Sequence, residues 1–191
     1  MTKATAPTPI RFRNDATRWG LIVVMLHWVS ALAVVMLFTL GLWMTSLTYY
    51  DAWYARAPSL HKSVGVIVFV VITVRLVWRL TNRTPDSIET HQAWETKIAR
   101  AVHWVLYTGL FAVLISGYLI STADGRTISV FGLIEVPATL AGIEKQADIA
   151  GFIHLWLSVG LMSIVSIHAL GALKHHFLDQ DATLKRMLGR A

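Results

Sequence analysis

The chain has 191 residues and a net charge of +6, but only 15% of its residues are charged and 55% are hydrophobic. A soluble domain carries about 25% charged residues, so this deficit, which is concentrated in long uncharged runs, indicates an integral membrane protein. The basic residues lie at the ends of the apolar runs, a pattern that argues against nucleic-acid binding. The absence of cysteine excludes disulfides, thiolate zinc sites, iron–sulfur clusters ligated by cysteine, and haem attached through a CxxCH motif.

Four apolar runs follow a polar N-terminal arm, and each is long enough to cross a bilayer. We expect the arm, residues 1–18, to be disordered, and residues 179–191 to form a basic tail. For residues 19–178 we predict an all-α, integral membrane four-helix bundle with spans at about 20–44, 60–81, 97–122 and 148–175. A longer connection follows over residues 123–146, and its middle, residues 128–142, is moderately apolar, so we expect this part to lie on the membrane surface.

The distribution of basic residues predicts the orientation of the bundle. Thirteen of the 17 lysines and arginines lie in the arm, in the connection between the second and third spans with its flanks, and in the tail region. The positive-inside rule assigns that side to the cytoplasm, so we expect both termini to be cytoplasmic.

Histidines occur in all four spans, and the fourth span carries two of them, His154 and His168, fourteen residues apart. Fourteen residues make nearly four helical turns, so both imidazoles leave one face of the helix, about 21 Å apart along its axis. By depth, His154 matches His61 on the outer side, and His168 matches His27 on the inner side. We call these the outer couple and the inner couple, and we predict that each couple supplies the two axial ligands of one haem.

Other interpretations of these histidines remain open. A single intramembrane histidine is also compatible with hydrogen-bonded packing. Zinc would require three or four ligands that converge at one point, whereas these side chains are divided between two depths. His103, at the inner depth, is an alternative to His27 as the partner of His168, or a contact for a haem propionate or a quinone carbonyl.

Several further side chains near the inner side are each compatible with more than one role. Arg75 and Arg79 could pair with haem propionates, but snorkelling to the headgroups is the favoured interpretation. For His175 and His176 we favour interfacial anchoring over a propionate or headgroup contact. His91 lies in a polar loop, and we assign it no role.

Four glycines share a helix face with the histidines of the two couples. A missing side chain leaves room for a flat macrocycle, but small residues are also common where membrane helices pack, and we weigh the two explanations equally. These glycines are Gly20, Gly65, Gly151 and Gly171.

The order of several short motifs resembles the bacterial cytochrome b561 family, which consists of small four-helix di-haem cytochromes of the inner membrane. The motifs are LHW at 26–28, LHKSVG at 60–65, VRLVWRL at 74–80, VHWVLY at 102–107, and the stretch 154–176 with its two histidines. The resemblance covers the chain from Arg18 to Leu188. The same ligand layout recurs in the cytochrome b subunits of membrane formate dehydrogenases and nickel–iron hydrogenases.

This resemblance implies that His27 and His168 bind the inner haem iron and that His61 and His154 bind the outer one, in agreement with the argument from depth. It implies two haem b groups, a location in the bacterial inner membrane, and electron transfer to or from the ubiquinone pool. One branch is similar to superoxide oxidase, which makes periplasmic superoxide a candidate donor.

Basic residues on the outer side bear on that candidate donor. Arg56, Lys62 and Arg126 are cations that could attract superoxide, although we slightly favour routine interfacial roles for them.

Three hypotheses for the function follow. The first is a self-contained electron carrier, in one form a superoxide:ubiquinone oxidoreductase, present alone or as a homodimer. The second is a membrane anchor that passes electrons between a partner dehydrogenase or hydrogenase and quinone. The third is a membrane protein without haem, such as a metal-ion transporter. Short loops leave little docking surface and therefore favour the first hypothesis.

Overall fold

The computed structural model describes residues 11–88 and 90–189, and within them the chain is mostly helical. Four helices are long and apolar enough to cross a membrane, which confirms the predicted all-α, four-helix fold. A short helix and a two-stranded antiparallel hairpin complete the described part of the chain. The elements are α1 (Leu21–Met44), α2 (Arg56–Thr81), α3 (Ala93–Ser121), β1 (Ile128–Val130), β2 (Ile134–Val136), α4 (Gln146–Phe177) and α5 (Thr183–Met187).

Helices α2, α3 and α4 begin in polar sequence before the predicted apolar spans, and local signals explain where two of them begin. Helix α2 begins at Arg56, which places Pro58 in the first turn. Proline is tolerated there, because the N–H that it lacks would have no partner within the helix. Helix α3 begins directly after Gln92, whose side chain forms a reciprocal capping box with Glu95. The apolar run alone marks the membrane segment and not the helix end.

The bundle is built from two pairs of neighbouring helices. Helix α1 packs along α2, α3 packs along α4, and contacts between α2 and α3 join the pairs, whereas α1 and α4 share few contacts. Val68, Ile72 and Tyr107 form the buried core at the contact between α2 and α3. Large apolar side chains on the outer faces, such as Leu32, are exposed in the isolated chain, as expected for surfaces that face lipid.

The described part of the N-terminal arm is held by hydrogen bonds, which differs from the expected disorder. The N–H of Leu21 donates to the carbonyl of Arg11 at 2.8 Å. The side chain of Asn14 accepts from the N–H of Gly20 and donates to the carbonyl of Arg83, both at 2.8 Å. Residues 11–18 therefore lie against the connection between α2 and α3, and the first ten residues lie outside the described part.

The region predicted as a basic tail contains α5, which packs against α4. The indole Nε1 of Trp28 donates to the carbonyl of Met187 at 2.7 Å. Arg186 donates to the carbonyl of Asp86 at 2.9 Å. The end of the chain therefore folds back under the same end of the bundle as the arm, the end that carries the inner couple.

The connection between α3 and α4 contains the β1–β2 hairpin, which the sequence analysis did not predict. Ile128 pairs with Val136 across it. The hydroxyl of Ser63 accepts from the N–H of Phe131 at 3.1 Å and donates to the carbonyl of Ser129 at 3.3 Å. These bonds fix the hairpin over the end of α2 that carries His61.

Candidate functional site

The structure brings both predicted histidine couples together. The ring centroids lie 6.2 Å apart for His61 and His154 and 6.4 Å apart for His27 and His168. A metal–imidazole bond is about 2 Å long and the ring centre lies about 1 Å beyond the nitrogen, so imidazoles on opposite sides of one metal ion have centres about 6 Å apart. The spacing of each couple therefore fits two axial ligands of one haem iron.

One member of the outer couple, His154, has the proton arrangement that a metal ligand needs. The Nδ1 of His154 lies 2.9 Å from the carbonyl of Val113, with the hydroxyl of Ser116 at 3.1 Å. A carbonyl can only accept, so Nδ1 carries the proton and the lone pair of Nε2 is left for a metal. The Nδ1 of His61 is buried and makes no hydrogen bond with any residue that the structure describes.

Two glycines on neighbouring helices allow the outer imidazoles to sit where they do. A Cβ atom on Gly117 would lie 3.0 Å from Cε1 of His154, and one on Gly41 would lie 3.3 Å from Cε1 of His61. The sequence analysis missed both, because it considered only glycines on the same helix as each histidine. Helical spacing carries no signal for contacts between helices.

A cavity of about 1180 Å³ adjoins the outer couple. Pockets for small organic ligands and cofactors measure about 300–1,000 Å³, so there is room for a planar macrocycle. Two of the predicted glycines, Gly65 and Gly151, line this cavity, and apart from its own stretch of helix no described residue comes within 4 Å of a Cβ built on either. The residues at the outer site therefore fit a haem.

The outer mouth of this cavity is lined by Lys62, Asp124 and Arg126. Arg126 donates to the carboxylate of Asp124 at 2.6 Å. This hydrogen bond holds the pKa of Asp124 below its usual value, so the pair carries no net charge near neutral pH. Lys62 forms no salt bridge with the described residues, which leaves it as the unneutralised cation of this group.

The inner couple has a different hydrogen-bond partner, because the side chain of Arg75 lies inside the bundle beside it. Its guanidinium contacts Nδ1 of His27 at 2.7 Å, donates to the hydroxyl of Ser30 at 2.8 Å and lies over the ring of Tyr107 at 5.5 Å. The interpretation that Arg75 snorkels to the headgroups is therefore wrong. The cavity at this couple measures only about 80 Å³.

The contact with Arg75 also sets the proton on His27. Arginine can only donate, so Nδ1 of His27 accepts and a neutral ring carries its proton on Nε2. Ligation through Nε2 requires that proton to leave, and Arg75 would then have to move away from Nδ1. The spacing of the inner couple fits a haem, and binding there requires at least this rearrangement together with a larger cavity than the present one.

His103 lies beside the inner couple and remains an alternative to His27. Its ring centroid is 5.3 Å from that of His168, about 1 Å less than the spacing expected for two ligands of one iron. Its Nδ1 donates to the carbonyl of Ala99 at 2.6 Å, which leaves Nε2 free. Ring spacing thus favours His27, and the present proton arrangement favours His103.

The remaining histidines lie at the inner end of the bundle. The rings of His91 and His175 are 4.6 Å apart, and both face Asp181. The structure thus gives His91, to which the sequence analysis assigned no role, a defined set of contacts. The Nδ1 of His176 is buried and has no hydrogen-bond partner among the described residues.

Comparison with known proteins identifies the family. The family described as prokaryotic cytochrome b561 matches residues 18–190. The chain belongs to the prokaryotic cytochrome b561 family. This confirms the resemblance drawn from the short motifs.

Three relatives show how this cytochrome b561 compares with other members. It is 49% identical over 180 residues to cytochrome b561 homolog 2 of Escherichia coli (strain K12), covering 94% of this chain and 96% of that protein. It is 26% identical over 176 residues to cytochrome b561 homolog 1 of the same organism, covering 86% and 93%. It is 29% identical over 164 residues to the probable superoxide oxidase CybB of Yersinia pestis, covering 85% and 91%.

Membership of the family gives the general function. This cytochrome b561 is a multi-pass protein of the inner membrane that takes part in transmembrane, quinone-related electron transfer, and its cofactor is b-type haem. The absence of cysteine agrees with haem held by side-chain ligands alone.

Proposed function

We propose that this cytochrome b561 carries electrons across the inner membrane through two b-type haems and exchanges them with the ubiquinone pool. His61 and His154 hold one haem near the periplasm, and His27 and His168 hold the other near the cytoplasm. The observation that carries the proposal is the presence of two couples with ring centroids 6.2 and 6.4 Å apart at opposite ends of the bundle. The excess of basic residues on one side supports cytoplasmic termini.

Bound haem supplies one-electron redox chemistry, and the protein supplies ligands, spacing and electrostatics. His154 and His168 set the depth of the two sites, about 21 Å apart along α4. The hydrogen bond from His154 to Val113 holds one outer imidazole in the ligating tautomer. Arg75 places a positive charge beside the inner couple, and a nearby cation favours the reduced form of a haem because reduction adds negative charge.

Haem content is the direct test of the ligand assignment. A reduced-minus-oxidised visible spectrum with haem quantitation should give two haems per chain. His61→Ala and His154→Ala should each remove one haem and leave the other, and unchanged haem content in both variants would refute the outer couple. His176→Ala is the matched control, because that histidine belongs to neither couple, and it should retain both haems.

The inner couple needs its own test because His103 is close to His168. We expect His27→Ala to lose the inner haem and His103→Ala to retain both. The opposite result would assign the second inner ligand to His103. A colourless wild-type protein would support the hypothesis of a membrane protein without haem.

Periplasmic superoxide is the candidate donor at the outer site. Lys62 lies at the mouth of the outer cavity without a neutralising partner among the described residues, and one relative is named a probable superoxide oxidase. Arg126 contributes little attraction because Asp124 neutralises it. Lys62→Gln should therefore slow superoxide-dependent quinone reduction and weaken its dependence on ionic strength, whereas Arg56→Gln should not. No superoxide-dependent reduction in the wild type would exclude this donor.

The alternative is a cytochrome b anchor that passes electrons between a partner dehydrogenase or hydrogenase and quinone. Relatives of nearly the same length align with 85–94% of the chain, and the described outer connection contains a short hairpin that offers little surface for docking. These observations favour the self-contained carrier. Stoichiometric co-purification with a large soluble redox subunit would instead establish the anchor.

A further inference from the structure

Three potential metal ligands converge at the inner end of the bundle, away from both couples. They are His91 in the connection between α2 and α3, His175 in the last turn of α4, and Asp181 in the link between α4 and α5. One ligand atom from each lies within 4.8 Å of the other two. No short sequence spacing joins these residues, so only the fold brings them together.

The distances are close to those of a tetrahedral metal site. The Oδ2 atom of Asp181 lies 2.8 Å from Nε2 of His91 and 3.3 Å from Nδ1 of His175. Metal–ligand bonds of about 2.1 Å separate the ligand atoms of a tetrahedral zinc site by about 3.4 Å. Small side-chain movements would therefore place a metal ion among the three.

The two carboxylate oxygens of Asp181 have different partners. Oδ1 accepts from the N–H of Thr183 at 2.7 Å and so fixes the start of α5, whereas Oδ2 faces the two imidazoles. The side chain is only 2% exposed, so it presents a buried carboxylate oxygen to both rings.

His175 lacks a satisfactory partner in the arrangement without metal. Its Nδ1 is buried and lies 2.7 Å from Asp179 and 3.3 Å from Asp181, yet neither contact is aligned as a hydrogen bond, and no other described residue supplies one. Asp179 and Glu95 are already paired with Lys174. Asp181 is therefore the carboxylate left to act with His91 and His175.

The geometry points to a divalent transition-metal site of the zinc type, formed by His91, His175 and Asp181 at the inner end of the bundle. Two imidazoles and one carboxylate form a ligand set that zinc uses in proteins, with a fourth position open to water. The side chains of His91 and His175 are 17% and 19% exposed, which gives an ion a route from solvent.

A metal at this site would add a link between three segments that hydrogen bonds already join, among them the one from Arg186 to the carbonyl of Asp86. It would tie the connection between α2 and α3 to the end of α4 and to α5. His175 follows His168 by seven residues on α4, so the site would lie about 10 Å along the helix from the inner couple. Added positive charge there would favour reduction of the inner haem.

Zinc binding by the full-length holo-cytochrome without an affinity tag tests the site. The protein, in lipid nanodiscs and stripped with EDTA, is dialysed against buffered Zn²⁺, and zinc and haem iron are counted in the same sample. We expect saturation at one zinc per chain. His91→Gln and Asp181→Asn should each weaken binding at least about tenfold, because even the loss of a residue that only orients a ligand costs 10–100-fold. His176→Gln is the matched control and should bind like the wild type.

The haem iron counted in each sample shows whether a variant is folded. If a ligand variant loses haem, the wild type still decides, because Zn²⁺ should slow trypsin cleavage after Lys185 and Arg186 by holding α5 in place. The site is refuted by the absence of saturable zinc binding, by undiminished binding in both ligand variants, or by an equal loss in His176→Gln. It is also refuted if bound zinc leaves the cleavage rate unchanged.

Discussion

Gly117 is the position where one added methyl group should act directly on a proposed ligand of the outer haem. Its Cβ atom would lie 3.0 Å from Cε1 and 3.3 Å from Nδ1 of His154. Carbon atoms prefer separations of about 3.5–4.0 Å, so Gly117→Ala places the methyl group about 0.5–1.0 Å too close. The ring cannot simply rotate away, because Nδ1 is bonded to the carbonyl of Val113 at 2.9 Å.

The size of the effect follows from the cost of overpacking. Added methyl groups in well-packed interiors cost about 1–3 kcal/mol. If that strain falls on the ligating position of His154, the outer haem should be held roughly 5- to 150-fold more weakly, at 1.4 kcal/mol per tenfold. The measurement is the rate of haem transfer to added apomyoglobin, resolved into two phases. The phase that belongs to the outer haem should accelerate, and the inner phase should not.

Gly109→Ala is the matched control. It lies on the same helix, and its Cβ would lie 3.1 Å from Cδ1 of Leu161, an equally close contact with an apolar side chain. We expect a similar loss of thermal stability without accelerated haem transfer. If Gly117→Ala keeps its outer haem as firmly as the wild type, or if both variants release it equally fast, then Gly117 does not position His154.

Three further changes test the parts of the fold that surround the sites. Ser63→Ala leaves the N–H of Phe131 without its partner, which costs about 1–3 kcal/mol, so hydrogen exchange should quicken in residues 128–136 and stay unchanged in α3. The pKa of Asp15 is lowered from 3.8 to about 2, chiefly by hydrogen bonds from the backbone N–H groups of the residues that follow it. The stabilisation that this carboxylate gives the arm is present above about pH 4 and is lost as the pH falls through 2, so hydrogen exchange in residues 11–18, corrected for intrinsic rates, should quicken over that pH range. Asp15→Asn should remove this pH dependence. Trp28→Phe removes the bond to Met187 and should expose α5 to trypsin through a loss of about 0.5–1.5 kcal/mol, and an unchanged cleavage rate would show that the bond does not hold α5.

The helical bundle could be predicted because the signal is local. A bilayer requires about 20 consecutive apolar residues whose backbone bonds are satisfied within the segment, and composition alone shows where they lie. The depth of each histidine is equally local, since it depends only on distance from a span end. Once two candidate ligands share a helix face fourteen residues apart, few histidines remain as possible partners at each depth.

What surrounds the histidines depends on how the helices are rotated against one another. Val113 and Gly117 meet His154 from α3, and Gly41 meets His61 from α1. No local sequence pattern shows these rotations, because they result from packing of side chains over the whole length of the helices.

The features missed entirely are those formed by distant or very short segments. His91 and Asp181 lie 90 residues apart and meet only after the bundle has folded. The hairpin did carry a weak signal, with Ile-Ser-Val and Ile-Glu-Val on either side of a turn at Phe131 and Gly132. Three alternating residues are too few to outweigh the apolar character of the whole connection.

The two proposed haem sites differ in how closely the present side-chain arrangement matches haem ligation. At the outer site, His154 is already in the ligating tautomer and a large cavity stands open beside it. At the inner site, Arg75 contacts the nitrogen of His27 that would have to carry the proton in the ligating tautomer, and the cavity is small. A buried guanidinium that leaves an imidazole needs another acceptor, and a haem propionate is an anion that meets this need. We therefore expect the inner haem to bind by exchanging partners with Arg75, and the outer haem to enter a site that needs no such exchange.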